Sequence, residues 1–346
     1  MGGLQNYIIR RIILMIPTLI GVTLLIFAIT QVLSPRQRAA LYVTERTVGQ
    51  IDDVIKKYHL DAPFYVQYFI WIKEVLHGNL GWSKKFTSPV LGMIISRAPA
   101  SIELAMVATP VIVLSGIFLG KLAAVHRDKA IDHISRATSI IGWSLPSFWL
   151  GILLLAIFYS GLGWFSPGRL GDAATLYVTN PSNNFKTYTG MFTIDGLLNG
   201  QPWITLDALS HMILPVVSLT VQIVALIVRV MRSTMLEVLG KGYISAARAK
   251  GLNPKEVVNK HATRNALLPV VTLAGMLTAG LMNGVVITEI IFRYPGLGQF
   301  AATCAVPPSD LPGVLGFALF AGVLFVVANL VVDISYAYLD PRIRLG

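Results

Sequence analysis

Residue patterns that could catalyse a reaction are scarce in this chain. The stretch SGIFLGKL comes closest to a phosphate-binding loop, because Gly120 and Lys121 stand where such a loop needs them. Ser115, however, occupies the place of its first glycine, and Leu122 replaces the Ser or Thr that would bind magnesium. The sequence has no HExxH or GxSxG motif, its six histidines are scattered, and Cys304 is its single cysteine. We therefore expect no ATP hydrolysis, no metal site, no internal disulfide and no membrane enzyme.

Apolar residues dominate the chain, which points to a membrane protein. Hydrophobic residues make up 54% of it and charged residues 13%, whereas soluble domains are about 25% charged. Helices rise about 1.5 Å per residue, so roughly 20 apolar residues cross a hydrocarbon layer about 30 Å thick. We predict an all-α membrane protein with six transmembrane helices, at residues 12–32, 104–125, 137–159, 212–228, 266–288 and 311–332.

The distribution of cations predicts the orientation of the chain. Arg10 and Arg11 precede the first apolar stretch, which is too long for a cleaved signal and is followed by no small-residue cleavage site, so we expect an uncleaved anchor. With the N-terminus inside, the connections at residues 162–208 and 293–311 lie outside and hold only three cations, Arg169, Lys186 and Arg293. This asymmetry predicts that both termini are cytoplasmic. The net charge of +11 then sets topology and indicates no nucleic-acid role.

We divide the chain into three parts. Residues 1–101 contain the first span and an extracytoplasmic helical insertion. In that insertion TVGQIDDVIKKYHL predicts a helix capped by Thr47, and PFYVQYFIWIKEVL predicts an aromatic helix opened by Pro63, which either packs on the bundle or contacts solute. Residues 102–337 form a five-helix core with cytoplasmic helices at 241–264, and residues 338–346 form a cytoplasmic tail.

Small residues and prolines within the spans indicate packing or bending. Gly116 and Gly120 have GxxxG spacing, which lets another helix approach closely. Pro146, in GWSLPSFW, lacks an amide hydrogen and favours a kink in the third span. Pro269 and Asn283 are further candidates for bending or packing in the fifth span.

Ionisable residues are almost absent from the middle of the predicted spans. Glu103, Lys121, Arg229, Glu289 and Asp333 all fall toward span ends, and we expect the Lys121 side chain to reach the lipid headgroups. A carrier coupled to protons or sodium would need an ionisable group or a broken helix near the bilayer centre. If the chain moves a solute, its energy is therefore expected to arrive from elsewhere.

The stretch TEIIFRYPGLGQF closes the fifth span at its outer end. Glu289, with the turn at Pro295 and Gly296, is a candidate outer gate. A helix-end charge at the surface is an equally good interpretation of Glu289. We also expect Asp333 and Arg342 to hold the inner end together.

The stretch YISAARAKGLNP lies between the fourth and fifth spans, on the basic side, and is far less apolar than its surroundings. A helix here would align Tyr243, Ala246, Ala247 and Lys250 on one face with few bulky side chains. A helix lying on anionic lipid would need large apolar anchors, which alanines do not supply. We therefore predict that this helix docks against a soluble protein.

The residues that follow predict a sharp corner. Gly251 would end the first helix in the left-handed conformation. Asn253 would cap a second interior helix, with Pro254 at its first position and Glu256 at its third, close to a capping box. A partner pushing on this corner would move the fourth and fifth spans together.

These residues resemble the interior-loop motif of the integral membrane permeases of ATP-binding cassette importers, specifically the B-type subunit of the dipeptide, oligopeptide and nickel group. That motif has Glu-Ala-Ala, three residues, Gly and later Leu-Pro; here the matching residues are Ser245-Ala246-Ala247, Gly251 and Leu268-Pro269. Ser245 replaces the Glu, and the interval before Leu-Pro is longer. The resemblance covers nearly the whole chain, through RRIILMIPTLIGVTLLIF, YHLDAPFYVQYFIWI, GNLGWS, LPSFWLGILLL, HMILPVVSL, EIIFRYPGLGQ and YLDPRIR. Asn79 in place of the usual Asp, and LSPRQRAA in place of Gly-Asp-Pro, leave the substrate open.

The resemblance implies a type I importer permease fold in the cell membrane. It also implies a second, similar permease subunit, two cytoplasmic ATPase subunits that bind ATP and magnesium, and an extracytoplasmic substrate-binding protein, with no cofactor on this chain. The ATPase-coupling residues would be Tyr243, Ser245, Ala246, Ala247, Arg248, Lys250 and Gly251. Di- or oligopeptides are the leading cargo. Oligosaccharide or nickel import is an alternative, and a secondary carrier or channel is a more distant one.

Overall fold

Long helices form almost the whole of the computed structural model, which describes residues 2–39 and 51–339. Five helices in the described residues are long and apolar enough to cross a membrane, and a bent pair makes up to six. The one sheet found in these residues is a hairpin of two short strands, β1 at Trp82–Ser83 and β2 at Ser88–Pro89. The all-α membrane fold predicted from composition is confirmed.

The insertion that follows the first membrane helix packs against the C-terminal half of that helix. The helices here are α1 at Gly2–Thr30, α2 at Pro35–Ala39, α3 at Ile51–Lys57 and α4 at Phe64–Leu76. In α1 the Phe27 ring lies 5.2 Å from Phe64 and 5.4 Å from Trp71 of α4. The aromatic helix therefore packs on the bundle, which was one of its two interpretations. Thr47, the predicted cap, lies outside the described residues.

The third predicted span is broken rather than kinked. It consists of α6 at Ala130–Ser144, α7 at Ser147–Leu154 and a π-helical segment at Leu155–Gly161, with a bend of 98° between the two halves. Pro146 caps α7 in an extended conformation, and Leu145 before it is extended as well. A residue that precedes proline avoids the helical region, so two successive residues leave the helix and the chain turns sharply.

Two unusually long helices form the centre of the bundle. These are α5 at Val90–Val125 and α10 at Pro202–Leu239, which pack along each other. We predict from the sequence that Glu103 lies toward the end of its span. The structure differs, because α5 begins at Val90 and Glu103 lies well inside this helix. The long connection between α7 and α10, which we call the outer connection after its predicted side of the membrane, contains three short helices. They are α8 at Asp172–Thr179, a 3₁₀ helix at Pro181–Asn183 and α9 at Phe192–Leu198.

The fourth and fifth spans are joined by α11 at Gly242–Ala249. The next helical segments are α12 at Pro254–Glu256, a π-helical turn at Val257–Ala262 and α13 at Thr263–Met282. These segments form one continuous candidate span of 29 residues. The prediction of a second, separate interior helix is therefore wrong: the helix that Pro254 opens is the membrane helix itself.

The fifth span ends earlier than predicted, at Met282 instead of residue 288. Gly284 adopts φ +98°, which ends the helix there. Two short helices follow, α14 at Val286–Ile291 and α15 at Leu297–Ala305, before α16 at Leu311–Leu339 packs against α1 and α13. The side chains of Asp333 and Arg342 are outside the described part of the structure.

Candidate functional site

The helix predicted to dock a partner is anchored by one side chain. Ile244 is fully buried in the cluster that joins α5, α10 and α13. Most of the predicted coupling residues point away from it: Tyr243, Ser245, Ala246, Arg248 and Lys250 are exposed. Ala247 is half-buried and packs on the same cluster, so the predicted four-residue face is not uniformly open. The outward surface is instead centred on Ala246.

The corner after α11 has the geometry that the sequence predicts at two residues. Gly251 adopts φ +80°, with open space where a side chain would begin. The Asn253 side chain accepts a hydrogen bond from the Lys255 amide at 2.9 Å, with Pro254 in the first turn of the helix. Glu256 pairs with Lys260 at 3.4 Å in place of the expected capping-box contact. The corner is thus held by backbone conformation and one cap.

A matched pair of charges lies just before the corner. Lys241 is 2.8 Å from Glu237 of α10, and its hydrogen bond to that carboxylate raises the pKa of Lys241. Both groups are exposed, so this pair adds little to stability.

Polar contacts connect the corner to neighbouring helices. Thr234 of α10 donates to the Ala266 carbonyl at 3.1 Å, and Lys121 of α5 donates to Asn259 at 2.7 Å. Lys121 therefore binds the π-helical turn, and because its side chain stays partly exposed, its reach to the lipid headgroups remains a prediction. A displacement of the corner therefore acts on α5, α10 and α13 at once.

A buried ion pair holds α6 to the same end of α10. Asp132 is fully buried and accepts two hydrogen bonds of 2.7 Å from the Arg232 guanidinium. Arg136 lies 3.6 Å from the same carboxylate, and the Asp128 amide also donates to it. A planar guanidinium bound through two donors fixes both distance and orientation.

The glycine pair of α5 lies directly against α10. A methyl group on Gly116 would overlap Ile227, and one on Gly120 would lie 2.7 Å from the Met231 Cβ and 2.8 Å from the Val228 carbonyl oxygen. The two backbones are in contact at Gly120, which is the approach that GxxxG spacing permits.

The two predicted proline sites differ in their effect. Pro146 lies at the 98° break between α6 and α7. Pro269 lies inside α13, which continues helically from Thr263 to Met282. Asn283 caps the C-terminus of α13, and its side-chain oxygen is buried with no hydrogen-bond partner in the described residues.

At the opposite end of the bundle, Glu289 is completely buried, so it is not a surface charge. Its carboxylate accepts hydrogen bonds from the Ser101 hydroxyl at 2.7 Å, the Val285 amide at 3.1 Å and the Gln299 amide at 2.7 Å. Ser101 accepts in turn from the Leu297 amide at 2.8 Å. Glu289 and Ser101 together satisfy amides at the start of α15, where the helix dipole favours a negative charge.

The turn predicted with Glu289 closes over this carboxylate. Pro295 is exposed, whereas Gly296 is buried, and a side chain at Gly296 would run into Ser101 and Glu289. Gly284 makes backbone contact with Gly298. In the candidate gate, α14 and α15 therefore pack closely against each other, and the hydrogen bond from Ser101 to Glu289 joins them to α5.

A second buried carboxylate was missed as a site from the sequence. Glu103 accepts a hydrogen bond from Arg169 at 2.6 Å, two from Thr193 at 2.7 and 2.9 Å, and one from the Tyr294 hydroxyl at 3.1 Å. The Arg169 guanidinium lies over the Phe192 ring at 4.4 Å. Burial, reinforced by Glu103, raises the pKa of Tyr294 above its ordinary range, so the phenol stays protonated and donates.

The sequence gives two weak signals for this cluster. Glu103 lies within an apolar run, and Arg169 is one of the three cations in the connections predicted to lie outside. Nothing in their spacing joins residue 103 to residue 169, because the pairing is long-range. Among the described residues, no group of three or more His, Cys, Asp or Glu side chains could hold a metal ion.

The fold and these two ends define a helical, multi-pass membrane subunit of the importer permease type. A family model for the inner membrane component of binding-protein-dependent transport systems matches residues 116–345. The chain belongs to this family.

Relatives with similar sequences cover almost the whole chain. The dipeptide transport system permease protein DppB of Escherichia coli K12 is 38% identical over 344 residues, with 98% of each chain covered. The oligopeptide transport system permease protein AppB of Bacillus subtilis is 36% identical over 342 residues, with 98% of this chain and 99% of that protein covered.

A solved structure supports the fold. An inward-facing form of the MetNI methionine ABC transporter has a chain that matches with a TM-score of 0.51 and 18% identity, covering 72% of this chain and 97% of that one. The type I importer permease fold expected from the sequence is thereby confirmed.

Proposed function

We propose that this chain is a transmembrane subunit of an ATP-driven, binding-protein-dependent importer for di- or oligopeptides. The family match and the similar relatives, which are dipeptide and oligopeptide permeases, support this assignment. The chain is a transport component, and ATP with magnesium binds to two cytoplasmic ATPase subunits. A second, homologous permease subunit completes the pathway, an extracytoplasmic protein delivers the peptide, and both termini of this chain face the cytoplasm.

The observation that carries the proposal is the exposed helix at the corner. α11 presents Ala246 outward and has Ile244 fixed in the core behind it. Small side chains let a partner's groove approach the helix backbone, while the buried anchor passes displacement to the bundle. Because of these two features, α11 is the helix that inserts into a cleft of the ATPase.

The mechanism is a population shift between inward-open and outward-open states. Inverting a 1:99 ratio of two states takes about 5.5 kcal/mol of differential binding. ATPase closure supplies this energy at α11, and the contacts from Thr234, Lys121 and Asn259 distribute it to three membrane helices. Peptide then passes between the two permease subunits.

The cargo is tested by reconstituting the chain with its permease partner, ATPases and binding protein in vesicles. We expect ATP-dependent uptake of a labelled dipeptide, with no uptake in vesicles that hold this chain alone. Uptake driven by an ion gradient without ATP would overturn the proposal. Preferential uptake of an oligosaccharide or of nickel would keep the importer class and overturn the peptide cargo.

The docking role of α11 is tested with Ala246→Arg, which adds bulk and charge to the outward surface. We expect normal membrane insertion and a loss of ATP-dependent uptake of at least tenfold. Ala130→Arg is the matched control, because it makes the same change at another exposed position. Ala130 begins α6, at the same end of the bundle as α11. Equal uptake by Ala246→Arg and the control would remove α11 from the coupling path.

A further inference from the structure

A cleft between the end of α5 and the start of the fifth span combines cations with an apolar wall. Its volume is about 290 Å³. The polar part of its lining is Lys121, His126, Lys255 and Asn259, and the apolar part includes Phe118 and Val125. No acidic side chain lines it within the described residues. We propose that this cleft binds the headgroup of an anionic phospholipid, a role independent of the transported solute.

The apolar wall continues along a membrane helix. Leu114, Phe118, Lys121 and Val125 follow helical spacing and share one face of α5. Leu114 is 66% exposed, Phe118 65% and Val125 43%, although α5 is a membrane span. Such exposed apolar residues face acyl chains. The cleft is thus the end of a lipid-facing stripe, at the depth where a span meets the headgroups.

The cations at the cleft are available for an anion. Lys121 gives one hydrogen bond to the neutral amide oxygen of Asn259, so its charge is not neutralised. The nearest acidic residues along the chain, Asp128 and Glu256, pair with Arg127 and Lys260. A basic pocket between membrane helices on the cytoplasmic side is the kind of site that anionic lipid headgroups occupy.

An anionic lipid fits this combination better than a protein or a free ion. A helix of another subunit packed over the stripe would have to bring its own carboxylates, because burying Lys121 and Lys255 without a counter-charge is costly. A free phosphate would satisfy the lysines and leave Phe118 and Val125 uncovered. A phospholipid carries both an anionic headgroup and apolar chains in one molecule. The headgroup would lie in the cleft and the chains along the stripe.

The test is lipid binding to the delipidated, full-length chain, measured by native mass spectrometry. Phosphatidylglycerol and phosphatidylcholine with the same acyl chains are titrated separately, and the first bound lipid is counted. We expect phosphatidylglycerol to bind at least tenfold more tightly. In Lys121→Gln combined with Lys255→Gln, the loss of two charges should weaken phosphatidylglycerol about 30-fold and leave phosphatidylcholine unchanged.

Two further variants separate the site from general charge. Arg127→Gln combined with Lys129→Gln removes two cations from the adjacent loop, outside the cleft, and should retain phosphatidylglycerol. Val125→Trp fills the cleft without changing charge and should weaken both lipids. Elution volume and helical content check that each variant is folded.

Four results would overturn the proposal. They are equal binding of the two lipids, no difference between the cleft variant and the loop variant, displacement of bound phosphatidylglycerol by millimolar inorganic phosphate, and capture of a polypeptide by a photocrosslinking residue at Val125 in the assembled complex. The third result assigns the cleft to a free anion, and the fourth assigns it to a protein neighbour.

Discussion

At the scale of single residues, buried carboxylates explain how the end of the bundle opposite α11 is held. Glu289 and Glu103 are both almost fully buried, and each accepts at least three hydrogen bonds. A buried charge is tolerated only when such partners replace water. Glu289 therefore contributes to the candidate gate by positioning α15, through the amides that it satisfies.

We expect Glu289→Gln to destabilise the protein by about 2 kcal/mol, because one amide group would then face backbone donors. The measurement is the temperature of unfolding in detergent, followed by size exclusion after heating. The control is Glu237→Gln, whose parent side chain is 68% exposed, so that this change should leave the unfolding temperature nearly unchanged. Equal shifts for the two variants would contradict the capping role.

At the scale of elements, the close packing of α5 against α10 depends on two glycines, which have no side chain. Gly120 lets the Val228 carbonyl approach, and Gly116 receives Ile227. Small residues act in a similar way at α11, where they leave the helix backbone accessible. Helix breaks contribute as well: the bend at Pro146 divides one predicted span into two arms.

Gly120→Ala should cost about 2 kcal/mol, because the added methyl would lie 2.8 Å from the Val228 carbonyl oxygen and the helices must separate. Gly280→Ala is the matched control in α13, since no atom lies within 4 Å of its added methyl group. That control should be neutral or gain about 0.5 kcal/mol from helix propensity. Thermal stability in detergent measures both, and a neutral Gly120→Ala would show that the two helices are not in close contact there.

At the scale of the whole molecule, two buried ion pairs hold opposite ends of the bundle. Arg232 and Asp132 join α10 to α6 near the corner. Arg169 and Glu103 join the outer connection to α5, and Arg169 also donates to the Gly190 carbonyl at 2.7 Å. The outer connection is consequently attached to the same long helix whose other end contacts Asn259. Displacement at one end can reach the other through α5.

Arg169→Met should destabilise the outer connection by about 3 to 5 kcal/mol, because Glu103 would remain buried without its cation. Limited proteolysis between residues 163 and 201 should become faster, and the unfolding temperature should fall. Combining it with Glu103→Gln should recover part of the loss, since no unpaired charge remains.

Arg127→Met is the control for this prediction, because its ion pair with Asp128 is exposed and contributes less than about 1 kcal/mol. If Arg169→Met and this control are cleaved at the same rate, the outer connection is held by other contacts.

The sequence by itself determined the features that depend on local chemistry. Apolar length predicted the helices and the membrane, the turn at Gly251 and the cap at Asn253 followed from residue type, and motif order indicated the family. These features depend on residues close together in the chain, or on composition, which can be read without a fold.

Only the tertiary structure decided which distant groups meet. It paired Glu103 with Arg169 and buried Glu289, where the sequence left a surface charge equally plausible. It also turned Ala247 partly inward and merged the Pro254 helix with the fifth span. The physical reason is that burial and ion pairing depend on contacts between residues far apart in the chain, which local spacing does not encode.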